Sequence, residues 1–500
     1  MGDVLDQVVV VDPDDPDREE ADQVSDKRGP VIAELAQEGA VSGAGHDKVK
    51  RQESYGHGNH AVTEGFKAVA FHSEKITRMQ TEVETSYRAL FQVPGFARLM
   101  LGTVLGRLAG QMWEVLLILF VLQRYRSPAL AGLTVLFSIL PGLVLSPIAG
   151  SLLDRQGRVR LMIFDYTATA ALTAAIAFLS IRHALPVPLL LLLVTLLSLS
   201  NILSTTGARS LFPLMVPRQL WDRSNGVDTS SYSVTSIIGP AVAGLLIARF
   251  GPEAALGAMA GIVALAAVSL VAVREPVERT QPSRSLMRDS WAGLEYVLKN
   301  RTLRGLAAAF FFTNLAVGPL VIGVPLIIIG RLHGGADTVG QFWAVFGGAG
   351  LIAGLAAGRL QTEGRERLLI AVTIAVQAPC MALIAFAGSV AQLFGIALLM
   401  GAANSLCLVA IFAIRQRRTD PGLFGRAFAV SMGLNMVGLP VGSALTGPLF
   451  ERSIVLPLLL GAAISLVAIA VMMRMIPRQA EHSPLRAAAA GASRETDPPG

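Results

Sequence analysis

Apolar residues are not spread evenly along this chain. From about residue 98 to 475 they gather into blocks of roughly 20 to 26, separated by short turns rich in charge, glycine or proline. The blocks lie near 99–122, 129–153, 161–181, 186–208, 228–249, 253–273, 305–329, 338–360, 368–388, 391–413, 426–449 and 454–475. A bilayer's hydrocarbon core of about 30 Å takes about 20 helical residues to cross. The blocks are apolar on every side, whereas a helix covering a soluble core keeps a polar face. The pattern therefore predicts an all-α membrane protein with twelve transmembrane helices. The longest polar interruption, 274–304, carries Pro276, Pro282 and seven Lys or Arg, and it divides the blocks six and six.

Composition agrees, with charged residues at 16% against roughly 25% in soluble proteins. The basic residues fall on alternate turns. The turns after blocks 2, 4, 8 and 10, with the central segment, hold 20 Lys or Arg, and the opposite turns hold six. Cytoplasmic loops are enriched in these residues, so the basic turns, the central segment and both termini are expected in the cytoplasm. The net charge of +6 is dispersed over turns and forms no nucleic-acid face. Cys380 and Cys407 lie inside apolar blocks, without disulfide or metal-ligand spacing. They read as small buried hydrophobes. Residues 1–78 hold five of the six lysines, lack helical periodicity and read as a disordered cytoplasmic segment. Met79 is an alternative start, which the mass of the native protein decides. The expected domains are a first six-helix bundle over 88–273, a cytoplasmic loop over 274–304, a second bundle over 305–475 and a free tail over 476–500.

The halves echo each other. IAGSLLDRQGRVRLM after block 2 matches LAAGRLQTEGRERLL after block 8, placing Gly150 on Gly358 and, with one deletion, Gly157 on Gly364. RSLFPLMVP after block 4 has a counterpart in RQRRTDPGLFGR after block 10, and IIGPAVAG in block 5 has one in VGLPVGSALTG of block 11. Three echoes in the same order indicate two pseudo-symmetric six-helix repeats. In transporters built from parallel repeats, the substrate site lies between the halves near the midplane.

GSLLDRQGRVR resembles the cytoplasmic loop motif of the major facilitator superfamily, G-x-L-x-D-R-x-G-R-[RK], at Gly150, Leu152, Asp154, Arg155, Gly157 and Arg158. Val159 stands where a second basic residue is usual, and Arg160 follows it. IIGPAVAG is similar to the block-5 motif of drug exporters at Gly239, Pro240 and Gly244. The turns RSLFPLMVPRQLWDRSNG and QRRTDPGLFGRAF, the latter with Gln416, Pro421, Gly425 and Arg426, resemble those of the third drug:proton antiporter family, the enterobactin- and macrolide-exporter-like group. The resemblance covers 88–475. It implies the major facilitator fold and secondary active transport by alternating access, driven by a proton gradient without a bound cofactor.

Physical chemistry assigns expected roles. Asp154 sits at the carboxyl end of helix 2, where the helix dipole disfavours an anion. It needs either the adjacent arginines or the amino end of another helix, and the resemblance implies the start of helix 11 near Gly425 and Arg426. Gly150 would let helix 2 approach that partner closely. The contact would act as a latch that exists only while the cytoplasmic side is closed. The alternative is that Arg155, Arg158 and Arg160 only fix topology. Gly239-Pro240 is expected to bend helix 5. Gly350, Gly354 and Gly358 are expected to give helix 8 a smooth face where it meets helix 5. Ionisable groups deep in a span are costly and often functional. Arg107 and Glu114 share one face of helix 1, about 10 Å apart along the axis. Protonation would relieve the desolvation cost of Glu114, which makes it the first candidate for proton coupling. The alternative is an acid solvated by the outer vestibule. Asp228 lies about one turn in from the cytoplasmic end of helix 5. Asp165, similarly placed in helix 3, is expected to join the cytoplasmic charge cluster. Asn314, Asn404 and Asn435 either face the cavity or tie helices together.

No G-x-x-x-x-G-K-[ST] occurs, and the core histidines, His183 and His333, lie in outer turns of different halves. An ATP-driven pump and a membrane-embedded enzyme are both unsupported. Proton-coupled export of a drug-like or siderophore-like small molecule is favoured, and uptake by symport is the alternative. The expected setting is a bacterial plasma membrane. The expected partners are a small-molecule substrate and the lipid bilayer, and the protein is expected to be a monomer.

Overall fold

A computed structural model describes residues 86–275, 286–359, 363–419 and 424–477, all within one compact unit, Glu84–Gly500. The expectations for residues 1–78, for the tail from 478 and for Pro421 lie outside the described residues. So do those for the side chains of Gly150, Asp154, Gly425 and Arg426.

A short α1 (Tyr87–Gln92) leads into α2 (Phe96–Tyr125), α3 (Pro128–Gln156), α4 (Arg158–Ile181), α5 (Val187–Met215), α6 (Trp221–Phe250) and α7 (Pro252–Leu270). After α8 (Leu286–Lys299) come α9 (Arg301–Leu326), α10 (Ala336–Ala357), α11 (Glu366–Ala385) and α12 (Val390–Arg417). The last are α13 (Phe424–Met436), α14 (Gly438–Phe450) and α15 (Val455–Met475). Among the described residues, eleven helices are long and apolar enough to cross a membrane, and α13 with α14 supplies the twelfth crossing. Block 11 is divided at Val437, whose backbone stays helical (φ −62°, ψ −30°), beside Pro440, which has no N–H to bond the Met436 carbonyl. Its counterpart α6 runs unbroken through Gly239 and Pro240.

Local signals set the helix ends. Ser127 Oγ accepts from Leu130 N–H (3.2 Å), with Pro128 at the first helical position. Asn300 Oδ1 accepts from Leu303 N–H at 3.0 Å. Gly157 and Gly364 both take positive φ, +91° and +74°, a region that residues bearing a Cβ avoid. The two glycines that align between the halves therefore turn the chain in the same region of φ.

Helix pairing repeats between the halves. In the first, α2 packs on α6 and α7, α4 packs on α5 and α7, and α3 packs on α5. In the second, α9 packs on α14 and α15, α11 on α12 and α15, and α10 on α12. Matching α2 to α9, α3 to α10 and so on carries one set into the other. It also exchanges the two main seams between halves, α3 with α14 and α6 with α10. This is a twelve-helix architecture of two pseudo-symmetric six-helix bundles.

Both inter-half seams are tightest at the end opposite the arginine-rich turns. A Cβ on Gly132 or Gly447 would strike backbone of the partner helix, Ser443 O and Pro128 O respectively. On the other seam Gly244 and Gly340 face each other, and a Cβ on either would meet Ala336 O or Pro240 O. Farther along, among the described residues, the approach is looser: a Cβ on Gly433 of α13 would meet Leu143 Cδ1 of α3 at 3.8 Å.

Two expectations change here. The glycine face that helix 8 turns to helix 5 is made by Gly340 and Gly347. Gly350 and Gly354 instead face Gly401 and Ser405 of α12, and Gly358 meets only its own turn at Leu355 O. Four-residue spacing identifies a face but not the neighbour it meets. The central segment, read as a polar loop, contains the amphipathic helix α8, which buries Val297 against Leu303 and Leu306. The described buried positions of α8, Gly293 and Val297, lie four apart on one face, and a helix of 14 residues with a polar face does not register as an apolar block.

Candidate functional site

One face of α2 carries the ionisable groups of that helix's interior. Arg107, Gly110 and Glu114 recur at helical spacing. Nothing lies within 4 Å of where a Gly110 Cβ would stand, so this face looks on open space. Glu114 is exposed on it. Asn201, Thr205 and Arg209 form an exposed stripe along α5, with Thr205 Oγ1 donating to Asn201 O at 2.9 Å.

Arg107 does not pair with Glu114. Its Nη2 lies 2.7 Å from Asp228 Oδ1 of α6, and the two side chains are 17% and 26% exposed. Arg107 Nη1 donates to Asp228 O at 2.8 Å and to Ser231 Oγ at 2.7 Å. The guanidinium fork thus clamps α2 to α6 through a carboxylate, a carbonyl and a hydroxyl. Arg107 and Asp228 were both visible in the sequence as charges inside spans. Their pairing was not, because 121 residues separate them.

Asp165 departs from expectation. It is 1% exposed and stays out of the charged turn. Its Oδ1 accepts from Thr169 Oγ1 (3.2 Å) and its Oδ2 from Ser204 N–H (3.3 Å), beside the hydroxyl-bearing Ser200 and Ser204 of α5, whose Oγ atoms donate to Leu197 O and Asn201 O. The carboxylate points from α4 into a serine-lined seam on α5, a direction that helix position alone does not reveal.

In the loop motif, Arg158 is held by Glu275 (3.5 Å), whose other oxygen accepts from Val159 N–H at 3.1 Å. Arg155 and Arg160 are exposed. Glu275, which follows α7, is a residue that sequence reasoning missed. Its only signal was an acid at the edge of a basic segment. In the second half, Gln416 is exposed while its neighbours make the contacts. Arg417 pairs with Glu366, and Arg418 Nη1 donates to Pro477 O at 3.0 Å. Arg415 is 1% exposed, lies over the Phe428 ring and meets Met432 Sδ. In the amide orientation that satisfies both its partners, Asn435 accepts from Arg415 Nη2 (2.5 Å) and donates to Ser431 O (3.0 Å). Asn435 therefore ties α12 to α13 rather than facing the opening. Asn314 bonds its own helix at Phe310 O, and Asn404 is exposed. His183 and His333 both take positive φ in turns, so they serve chain reversal at the far end. Both cysteines are buried and free.

This arrangement joins two matched bundles that close at one end and carries ionisable groups on the inner wall. The Major Facilitator Superfamily profile matches residues 99–389. An uncharacterised MFS-type transporter, y4rN of Sinorhizobium fredii, is 37% identical over 379 residues, covering 75% of this chain and 93% of that protein. Macrolide efflux protein A of Streptococcus pyogenes is 22% identical over 365 residues, 71% of this chain and 89% of that protein. A solved bacterial homologue of the human lysosomal transporter Spinster, in an inward-facing and occupied conformation, superposes with a TM-score of 0.61. It is 15% identical and covers 78% of this chain and 98% of its own. By sequence profile, by a relative spanning most of its length and by fold, this chain belongs to the Major Facilitator Superfamily.

Proposed function

We propose that this transporter exports a drug-like or siderophore-like small molecule in exchange for protons, alternating access between two sides of a bacterial plasma membrane. The arginine-rich end and both termini face the cytoplasm in this reading. The observation that carries it is the pair of glycine seams, α3 with α14 and α6 with α10. They close the far end while the charged face of α2 stays open. Glu114 on that face is the proton-coupling carboxylate, and the Arg107–Asp228 pair holds the wall it stands on. The macrolide efflux relative supports export of a bulky amphipathic compound. Asp154, with the start of α13 as its partner, latches the arginine-rich end in the opposite state.

The test is transport in proteoliposomes under an imposed pH gradient, with macrolides and siderophores as probes. Accumulation against the substrate gradient that follows the proton gradient in the opposite direction is the expected result. Substrate moving with the protons would replace export by symport. Indifference to the proton gradient would sink the coupling. Glu114→Gln should abolish gradient-driven transport and leave substrate exchange at equilibrium.

A further inference from the structure

Helix α8 takes no part in a membrane crossing, since its 14 residues fall short of the about 20 that a span needs. It ends one residue before α9 begins, with Asn300 as the cap between them. Its carboxyl end therefore stands where a span enters the bilayer. At about 100° per residue, Val297, Leu294, Leu298 and Trp291 follow one another around α8 within about 120°, and Glu295 and Lys299 come next. The protein covers only the first part of this apolar sector. Val297 is buried with Leu303 and Leu306 of α9, Leu294 is half-buried, and Leu298 and Trp291 are 49% and 68% exposed. Uncovered apolar side chains bordered by charged ones fit a helix lying in the plane of a membrane interface, where tryptophan is enriched.

Positive charge gathers at the same place. Lys299, Arg301 and Arg304 are all exposed, and Arg304 Nη1 donates to Leu298 O at 3.0 Å, which holds this guanidinium at the end of α8. Arg301 and Arg304 belong to the first turn of α9, where the helix dipole disfavours a cation, and that turn holds no acid. Glu295 of α8 pairs with Lys299 at 2.5 Å. The patch is complementary to an anionic surface. The first bundle repeats the device. α1 precedes α2 as α8 precedes α9, and it buries Leu90 while exposing Tyr87 (58%) and Phe91 (49%), four residues apart. Arg88 is exposed, as is Arg98 in the first turn of α2.

We propose that α8 is seated in the headgroup layer at the arginine-rich end and binds anionic phospholipid, with α1 as its counterpart in the first bundle. Trp291 and Leu298 enter the boundary with the acyl chains. Lys299, Arg301 and Arg304 take the headgroup phosphates through charge-assisted hydrogen bonds. Retention of basic turns on one side of a membrane accounts for the cations alone, and not for the uncovered tryptophan and leucine beside them. Because α8 packs on α9 and α13 and also touches α3, lipid bound to it anchors the segment that joins the two halves. This inference uses only the membrane fold and does not depend on substrate or proton coupling.

The experiment reconstitutes the full chain in vesicles of phosphatidylcholine and phosphatidylglycerol in equal parts, with bromine on the acyl chains of one lipid or the other. The fluorescence of wild type less that of Trp291→Phe isolates Trp291. Expected is quenching of Trp291 that is several-fold stronger when phosphatidylglycerol carries the bromine. Lys299→Gln combined with Arg301→Gln should bring the two lipids to parity while quenching persists. Inorganic phosphate should leave the preference as it is in sodium chloride of matched ionic strength. Absence of quenching by either lipid would overturn the interfacial seat and leave this face to solvent or a protein partner. Equal quenching in wild type would overturn the anionic preference, and its loss on adding phosphate would assign the cations to free phosphate instead. If Trp291→Phe fails to fold, total fluorescence of wild type and the double variant decides: the same lipid preference in both refutes the role of Lys299 and Arg301.

Discussion

Arg107 shows what one charged side chain does when a bilayer surrounds it. Removing either partner of a desolvated ion pair leaves the other stranded, and that penalty exceeds the net worth of the pair. The Arg107–Asp228 contact is partly open to the cleft, so Asp228→Asn should cost about 1–3 kcal/mol. The measurement is the melting temperature of the purified protein, and Arg107→Lys should fall similarly because an ammonium cannot span carboxylate, carbonyl and hydroxyl together. Asp154 makes a different demand. An anion at the carboxyl end of its own helix is opposed by the dipole, so its stabilisation has to come from elsewhere. Asp154→Asn should leave membrane insertion intact, cut transport several-fold and raise the labelling of cysteines placed on the cleft wall near Tyr232. Unchanged labelling and transport would reduce the motif to a topology signal.

At the scale of helices, small residues determine which faces can slide. Gly340 and Gly354 occupy the same helix, α10, and look alike in the sequence. A Cβ at 340 would meet the Pro240 carbonyl, which cannot move aside, whereas a Cβ at 354 would meet the Ser405 hydroxyl at 2.7 Å, which can rotate. Gly340→Ala should therefore destabilise the closed seam by about 1–3 kcal/mol and depress transport. Gly354→Ala should stay near wild type, and transport assays on the two variants side by side check this. The broken helix α13–α14 belongs to the same scale. Arg415 and Asn435 tie α13 to α12, while α14 packs on α3 and α9. The interruption at Val437 thus separates a piece fixed within the second bundle from a piece at the inter-bundle seam.

For the molecule as a whole, the two bundles are related by a correspondence that also exchanges their seams. Both seams lie at the same end, so rocking one bundle against the other would part them together. Ser127 Oγ donates to Glu451 Oε1 across the same end at 3.2 Å. Cysteines introduced by Ser127→Cys and Glu451→Cys should be bridged by a short reducible bifunctional thiol reagent, which holds the far end shut and arrests transport until a reductant restores it. Cys380 and Cys407 are buried and should not interfere. Full transport by the cross-linked protein would show that this end need not open.

Much was legible beforehand, for a definite reason. A bilayer forces every crossing to be a long helix with its backbone bonds satisfied internally, so twelve crossings, six and six, could be read from block length alone. The internal echoes already implied matched halves, and Gly157 and Gly364 bear that out in their shared positive φ. Charges inside spans stood out as costly, which is why Arg107, Glu114, Asp165 and Asp228 could all be singled out. Their partners could not. Whether Asp165 faces arginines or serines, and whether Gly350 or Gly340 meets helix 5, depends on helix rotation and on packing between segments more than a hundred residues apart. Local sequence places a residue on a face, and only the assembled bundle determines what that face meets.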